Sequence, residues 1–209
     1  MNPLSYIHHY EPSTQAGSPP LLLLHGTGGN ENDLLPVGRQ VAPGSALLSP
    51  RGDVSENGMP RFFRRLAEGV FDQNEVAQRT HALADFLSAA ATRYGFDAGQ
   101  LNALGYSNGA NIAASLLLLR PETLAGAVLL RPMVVLEPRL VPNLQGKRIA
   151  ILSGRYDPIV PADHPERLAA MFRQAGAEVD LHWFEAGHQL TGADFRLAGQ
   201  FLHDTPARR

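Results

Sequence analysis

Short, uninterrupted apolar runs alternate with longer segments of helical periodicity along this chain. Leu21–Leu24 is four leucines in a row, and residues 46–48, 101–104, 125–130, 149–152 and 179–184 are further apolar runs. Most lack the apolar–polar alternation of a strand with one wet face, and they read as strands buried on both faces of a parallel sheet. Between them, residues 75–94 place Val76, Leu83, Leu87, Ala90 and Tyr94 on one helical face, and Gly95 suits the C-terminal cap. Residues 164–175 bring Leu168, Phe172 and Ala175 together behind a capping-box spacing, Asp163 to Glu166. Thr191 and Asp194 open a last helix with Phe195, Ala198 and Leu202 inward. Strands alternating with helices predict right-handed βαβ units, hence an α/β fold. Its central sheet is mostly parallel and covered by helices on both faces, in a single domain over residues 1–209. Residues 50–73 break the rhythm, with turn chemistry first and an apolar cluster second. A loop of that length in a compact domain is usually functional, and this one follows the C-terminal end of a strand, so it is expected to border the site.

Composition narrows the chemistry. With 18 basic and 20 acidic side chains the net charge is −2, which leaves no basic footprint for nucleic acid or an anionic membrane. No cysteine is present, so neither a disulfide framework nor a thiolate nucleophile or metal ligand is available. No run approaches the roughly 18 apolar residues of a membrane span. The N-terminal MNPLSYIHHYEP lacks the basic and apolar regions of a signal peptide, and a cytoplasmic location is expected. His8 and His9 are adjacent and would face opposite ways on a strand, and no H-x-x-x-H spacing occurs, so no metal site is expected.

The stretch LNALGYSNGANIAASLLLLRP carries the strongest chemical signal. Gly105-Tyr106-Ser107-Asn108-Gly109 fits the G-x-S-x-G elbow, in which a serine sits on a sharp strand-to-helix turn. Only small residues fit two positions before and after such a serine, because strand and helix come very close there. The pentapeptide alone also fits a structural small-residue turn, but an apolar run precedes it and a helix-length segment ending at Pro121 follows. A serine hydroxyl needs a base, and the base needs an orienting carboxylate. Asp157 lies just past a strand in IAILSGRYDPIVP, where open α/β sheets collect site residues. Asp163 competes for that role, although helix capping accounts for it better. His188 follows the last strand in EAGHQL, whereas His182 sits inside that strand with Asp180 on the same face. Upstream, LLLLHGTGGNENDL places a Gly-rich loop after the first long strand. It matches no phosphate-loop motif. It suits an oxyanion hole, with the Thr27 and Asn108 N–H groups as donors and His25 as a structural support of the loop.

Together, HGTGGNENDLLP, SPRGDVSENGMPRFFRR, GYSNGANIAASLLLLRP, GRYDPIVP and EAGHQLT resemble the α/β-hydrolase superfamily. Within it the chain is similar to the compact phospholipase/carboxylesterase family, which includes acyl-protein thioesterases, and to its small bacterial esterases. The resemblance implies the α/β-hydrolase fold without a large lid domain. It also implies a triad of Ser107, Asp157 and His188, oxyanion donors at Thr27 and Asn108, and no cofactor. The implied activity is hydrolysis of small-molecule carboxylic esters, with thioesters or lysophospholipids as the alternative and a catalytically idle binding protein on this fold as a second one. Family members often form homodimers. Dienelactone hydrolases share the fold but use cysteine, which is absent here. Phe62, Phe63, Leu66 and Phe71 are candidates either to line an acyl pocket or to pack the long loop onto the body. Arg61, Arg64 and Arg65 either bind a substrate carboxylate, or form a solvated face, or pair with Glu56 or Glu68. Arg131, just after an apolar run, is expected either to face the site or to pin the long loop. The resulting cleft is expected to be open and small, favouring short or compact acyl groups.

Overall fold

In a computed structural model, residues 4–67 and 69–204 are described. In chain order the elements are β1 (His8–Glu11), β2 (Leu21–Leu24), α1 (Leu35–Val41), β3 (Leu47–Pro50), β4 (Val54–Glu56), β5 (Met59–Arg61), β6 (Arg65–Ala67), β7 (Val70–Phe71) and α2 (Gln73–Tyr94). They continue with β8 (Asn102–Tyr106), α3 (Asn108–Leu119), β9 (Gly126–Leu130), β10 (Arg148–Gly154), α4 (His164–Gln174), β11 (Glu178–Phe184) and α5 (Gly192–His203). The seven-stranded sheet runs β1-β3-β2-β8-β9-β10-β11. Every pairing in it is parallel except β1 with β3.

The uninterrupted apolar runs are explained by burial on both sides. Leu22, Leu24, Leu129, Ile149 and Ile151 join α2, α3 and α4 in one core layer. Their neighbours Leu21, Leu23, Val128, Leu130 and Leu152 join α1 and α5 in the other. A one-residue slip of any strand would exchange the two sets, so register is set by both layers at once. Helix α3 is buried at every position from Asn108 to Leu118. That fits its almost wholly apolar composition, since a helix without a polar face belongs inside.

Helix boundaries follow local chemistry. Asp72 caps α2 by accepting from the N–H groups of Asn74 and Glu75 (3.0 and 3.3 Å), and Gly95 ends it in the left-handed conformation. Asp194 accepts from the Thr191 N–H and hydroxyl (2.7 and 2.8 Å) at the start of α5. The capping box expected at Asp163 is absent. Asp163 has helical rather than extended backbone angles, makes no capping bond, and meets Arg167 at 3.3 Å instead.

Four features were not read from the pattern. Strand β1 is mixed in polarity because it is the antiparallel edge of the sheet. Helix α1 has only seven residues, too few to show a period. The expected loop at 50–73 instead folds into two hairpins, β4–β5 and β6–β7. Asn57 and Gly58 (φ 52° and 81°) form the first turn, a sequence signature of two-residue hairpins.

The caps predict a contrast. Asp72→Ala is expected to lower stability in urea by about 1 kcal/mol. Asp163→Ala, which removes only an exposed ion pair, is expected to shift it by less than about 0.5 kcal/mol.

Candidate active site

Strand β8 ends at Tyr106 and α3 begins at Asn108, so the chain turns through Ser107 alone. Ser107 has φ 53° and ψ −114°, a conformation costing an L-residue about 1–3 kcal/mol. Its N–H donates to the Leu130 carbonyl (2.8 Å) and its own carbonyl accepts from the Asn111 N–H (2.9 Å). Both flanking glycines are sterically required. A Cβ on Gly105 would lie 2.5 Å from the Gly109 carbonyl oxygen, and one on Gly109 would lie 2.0 Å from that of Leu24.

The other two groups come from loops at the same sheet edge. Asp157 follows β10. Its Oδ1 accepts from the N–H groups of Ile159 and Val160 (2.8 and 3.2 Å), and its Oδ2 lies 2.8 Å from His188 Nδ1. His188, between β11 and α5, places Nε2 3.0 Å from Ser107 Oγ. A carboxylate only accepts, so the proton is assigned to Nδ1, which leaves Nε2 to accept from the serine hydroxyl. The Tyr106 hydroxyl donates to the His188 carbonyl (3.2 Å), and burial raises its pKa, which keeps it a donor.

Arg131 holds the histidine loop. It is wholly buried, with a left-handed backbone (φ 55°). Nε donates to Gly187 O (3.0 Å) and Nη2 to Gln189 O (3.1 Å), the carbonyls on either side of His188. Nη1 donates to Leu152 O (3.1 Å), and both Nη atoms reach the equally buried Asp194 carboxylate (2.6 and 3.0 Å). All five N–H donors of the guanidinium therefore have acceptors.

The Gly-rich loop after β2 lies opposite. Thr27 and Asn108 line the cleft that contains Ser107, and neither backbone N–H donates to a protein acceptor among the described residues. Asn108 opens α3, where unpaired N–H groups and the helix dipole both favour negative charge. His25 braces this loop. Its Nε2 accepts from the Gly52 N–H (2.9 Å), so Nδ1 carries the proton and donates to Gly26 O (2.6 Å). Burial holds its pKa below the usual histidine value. Further ties join the loop and elbow to residues 50–73: Gly28 N–H to Pro60 O (2.9 Å), Arg61 Nη1 to Thr27 Oγ1 (2.7 Å), and Phe62 N–H to Asn108 Oδ1 (2.8 Å). The cleft holds about 210 Å³ and includes Arg61, Arg65, Phe71, Met133 and Ile159. Among the described residues no group of three or more His, Cys, Asp or Glu is placed to hold a metal ion. No helix among them is long and apolar enough to cross a membrane.

Residues 10–205 match the family model for phospholipase/carboxylesterase. The chain belongs to this family. It is 48% identical over 197 residues to the putative hydrolase MhqD of Bacillus subtilis strain 168, covering 94% of this chain and 98% of that one. The Bacillus cereus carboxylesterase crystal structure superposes with a TM-score of 0.94 at 46% identity, covering 96% of this chain and 95% of that one. A Mesorhizobium loti carboxylesterase gives 0.91 at 33% identity, covering 98% and 97%. The α/β-hydrolase fold, with no large extra domain, is thus shared with esterases of the family.

Several expectations about the cleft need correction. Phe62 and Phe63 do not line it. Both are core residues, Phe62 tilted against His25 (4.8 Å between ring centroids) and Phe63 edge-on to Phe71 (5.5 Å). They lie in the link between the two hairpins with their side chains buried, whereas Phe71 is at the wall and Leu66 is exposed. Arg131 neither faces substrate nor pins the long loop, since all its donors are taken by the histidine loop, β10 and Asp194. Arg61 and Arg65 do line the cleft and share Glu56, whereas Arg64 is exposed; Glu68 lies outside the described residues. Sequence reasoning named Glu56 as a candidate partner but missed Asn111 as a wall residue and Asp194 as the counter-ion of Arg131.

Two outcomes are expected. As pH falls below about 6.5 the unfolded chain protonates His25 while the native state resists, so stability falls with pH there and is unaffected above it. Thermal scans from pH 7.5 to 5.5 should show this slope reduced in His25→Ala. Some slope should remain, because burial also lowers the His164 pKa. Asp194→Ala, which leaves Arg131 charged and unpaired, should cost about 3–5 kcal/mol in urea denaturation. The double replacement Arg131→Met, Asp194→Leu should stay destabilised, because the Gly187 and Gln189 carbonyls then lose their donor.

Proposed function

We propose that the chain is a serine carboxylesterase acting through an acyl-enzyme on Ser107. The observation that carries this is the hydrogen-bonded chain from Ser107 Oγ through His188 to Asp157, at 3.0 and 2.8 Å, on a strained serine. Both distances lie within the range needed for direct proton transfer and orientation. His188 Nε2 takes the hydroxyl proton as Oγ attacks the ester carbonyl. The Thr27 and Asn108 N–H groups receive the oxyanion, an arrangement in which each donor is typically worth about 2.7–4 kcal/mol. His188 then returns the proton to the leaving alcohol. Water repeats the sequence on the acyl-enzyme and regenerates Ser107. Asp157 keeps the imidazole in the Nδ1–H tautomer and steadies its positive charge. No cofactor enters this scheme.

The volume of the cleft and its wall of Phe71, Met133 and Ile159 favour short or compact acyl groups. A fluorophosphonate probe is expected to label Ser107 and to leave Ser107→Ala unlabelled. That variant should lose about 10⁴-fold or more in kcat. Label retained in Ser107→Ala would remove the nucleophile assignment. A p-nitrophenyl ester series should peak at short chains, and a preference for about twelve carbons or more would overturn the size assignment. Full labelling with no turnover of any ester or thioester would favour the idle binding protein.

A further inference from the structure

The wall of the cleft carries hydrogen-bond donors and positive charge that the described residues do not use up. Arg61 is only 3% exposed and lines the same cleft as Ser107. Its Nη1 donates to Thr27 Oγ1 and its Nε to Phe63 O (3.1 Å), but its Nη2 has no hydrogen-bond partner among the described residues. Arg65, about one-third exposed, gives Nε to Glu56 Oε1 (2.7 Å), and neither of its Nη atoms has a partner among those residues. Glu56 Oε2 lies 3.3 Å from Arg61 Nε without an aligned hydrogen bond. Among the described residues one carboxylate thus serves two guanidiniums, which leaves one positive charge in excess among them. Other acids among the described residues are committed elsewhere. Glu75 accepts from the Arg64 N–H and faces Arg79, Asp53 pairs with Arg79, and Asp157 is held by His188. Asn111 adds a further donor, because its Oδ1 already accepts from the Met133 N–H and its amide nitrogen has no partner among the described residues.

A polar wall of this kind favours an acceptor with negative charge. These donors open into the cleft, and a guanidinium offers parallel N–H groups that match a carboxylate. We propose that Arg61 and Arg65 form a carboxylate subsite, and that the preferred substrates are compact esters carrying a second, free carboxylate. This rests on the serine-esterase reading above and names the substrate class for it. The carboxylate can lie on the acyl side, as in a half-ester of a dicarboxylic acid, or on the alcohol side, as in an O-acyl hydroxy acid. Both place the same group against the same donors.

The test compares matched pairs by pH-stat. Monoethyl succinate against diethyl succinate probes the acyl side, and O-acetylglycolate against its methyl ester probes the alcohol side. In at least one pair the charged ester is expected to have the higher kcat/KM, by about ten- to a hundredfold, as a charge-assisted hydrogen bond supplies. The gain should lie mainly in KM and shrink as salt is added. The charged-to-neutral ratio should collapse in Arg65→Gln and rise in Glu56→Gln, which frees both guanidiniums. A merely structural role for these residues would move both members of a pair together. Neutral esters hydrolysed as well as charged ones in both pairs would overturn the subsite, and so would a ratio unmoved by both substitutions. Those results would leave the esterase reading intact. That reading fails separately, if no ester is cleaved and Ser107 does not react with a fluorophosphonate.

Discussion

The buried guanidinium of Arg131 joins segments that lie far apart in sequence. It sits at the end of β9, donates to the end of β10, and grips the carbonyls on both sides of His188. Burying a charge in this way is costly unless it is paired and fully hydrogen-bonded, and Asp194 supplies the opposite charge. Because every donor is satisfied, the arrangement has one low-energy geometry. The imidazole it positions sits at hydrogen-bond distance from both Ser107 and Asp157. A loop held only by surface contacts would not keep those distances.

The second constraint is closeness at the elbow. Helix α3 passes so near the ends of β2 and β8 that backbone lies where a Cβ would be. The strain at Ser107 is tolerated because Leu130 O and the Asn111 N–H hold its backbone on both sides. Residues 50–73 complete the wall by bonding to His25, Gly28, Thr27 and Asn108. Their hairpins are therefore part of the site's frame, and their buried phenylalanines act as core.

Much of the fold was legible because parallel strands buried on both faces leave continuous apolar runs. The run Leu21–Leu24 coincides with β2, and the periodic segment at 75–94 lies inside α2 with Gly95 at its cap. The hairpin turn at Asn57-Gly58 had a recognisable signature, but the apolar cluster after it suggested a pocket. Hydrophobicity does not say whether a phenylalanine packs inward or lines a cleft. Phe62 and Phe63 went one way and Phe71 the other.

The sequence by itself determined the alternating architecture, the small residues around Ser107, and the order in which Ser107, Asp157 and His188 follow one another. These are local properties: hydrophobic period, steric size and position after a strand. Only the tertiary structure decided which charges are spent. Arg131 meets Asp194 across 63 residues, and Arg61 shares Glu56 with Arg65 while reaching Thr27 in another loop. An arginine has the same composition whether its donors are satisfied or open. Its role depends on which acceptors the folded chain brings within about 3 Å, and sequence spacing does not contain that information.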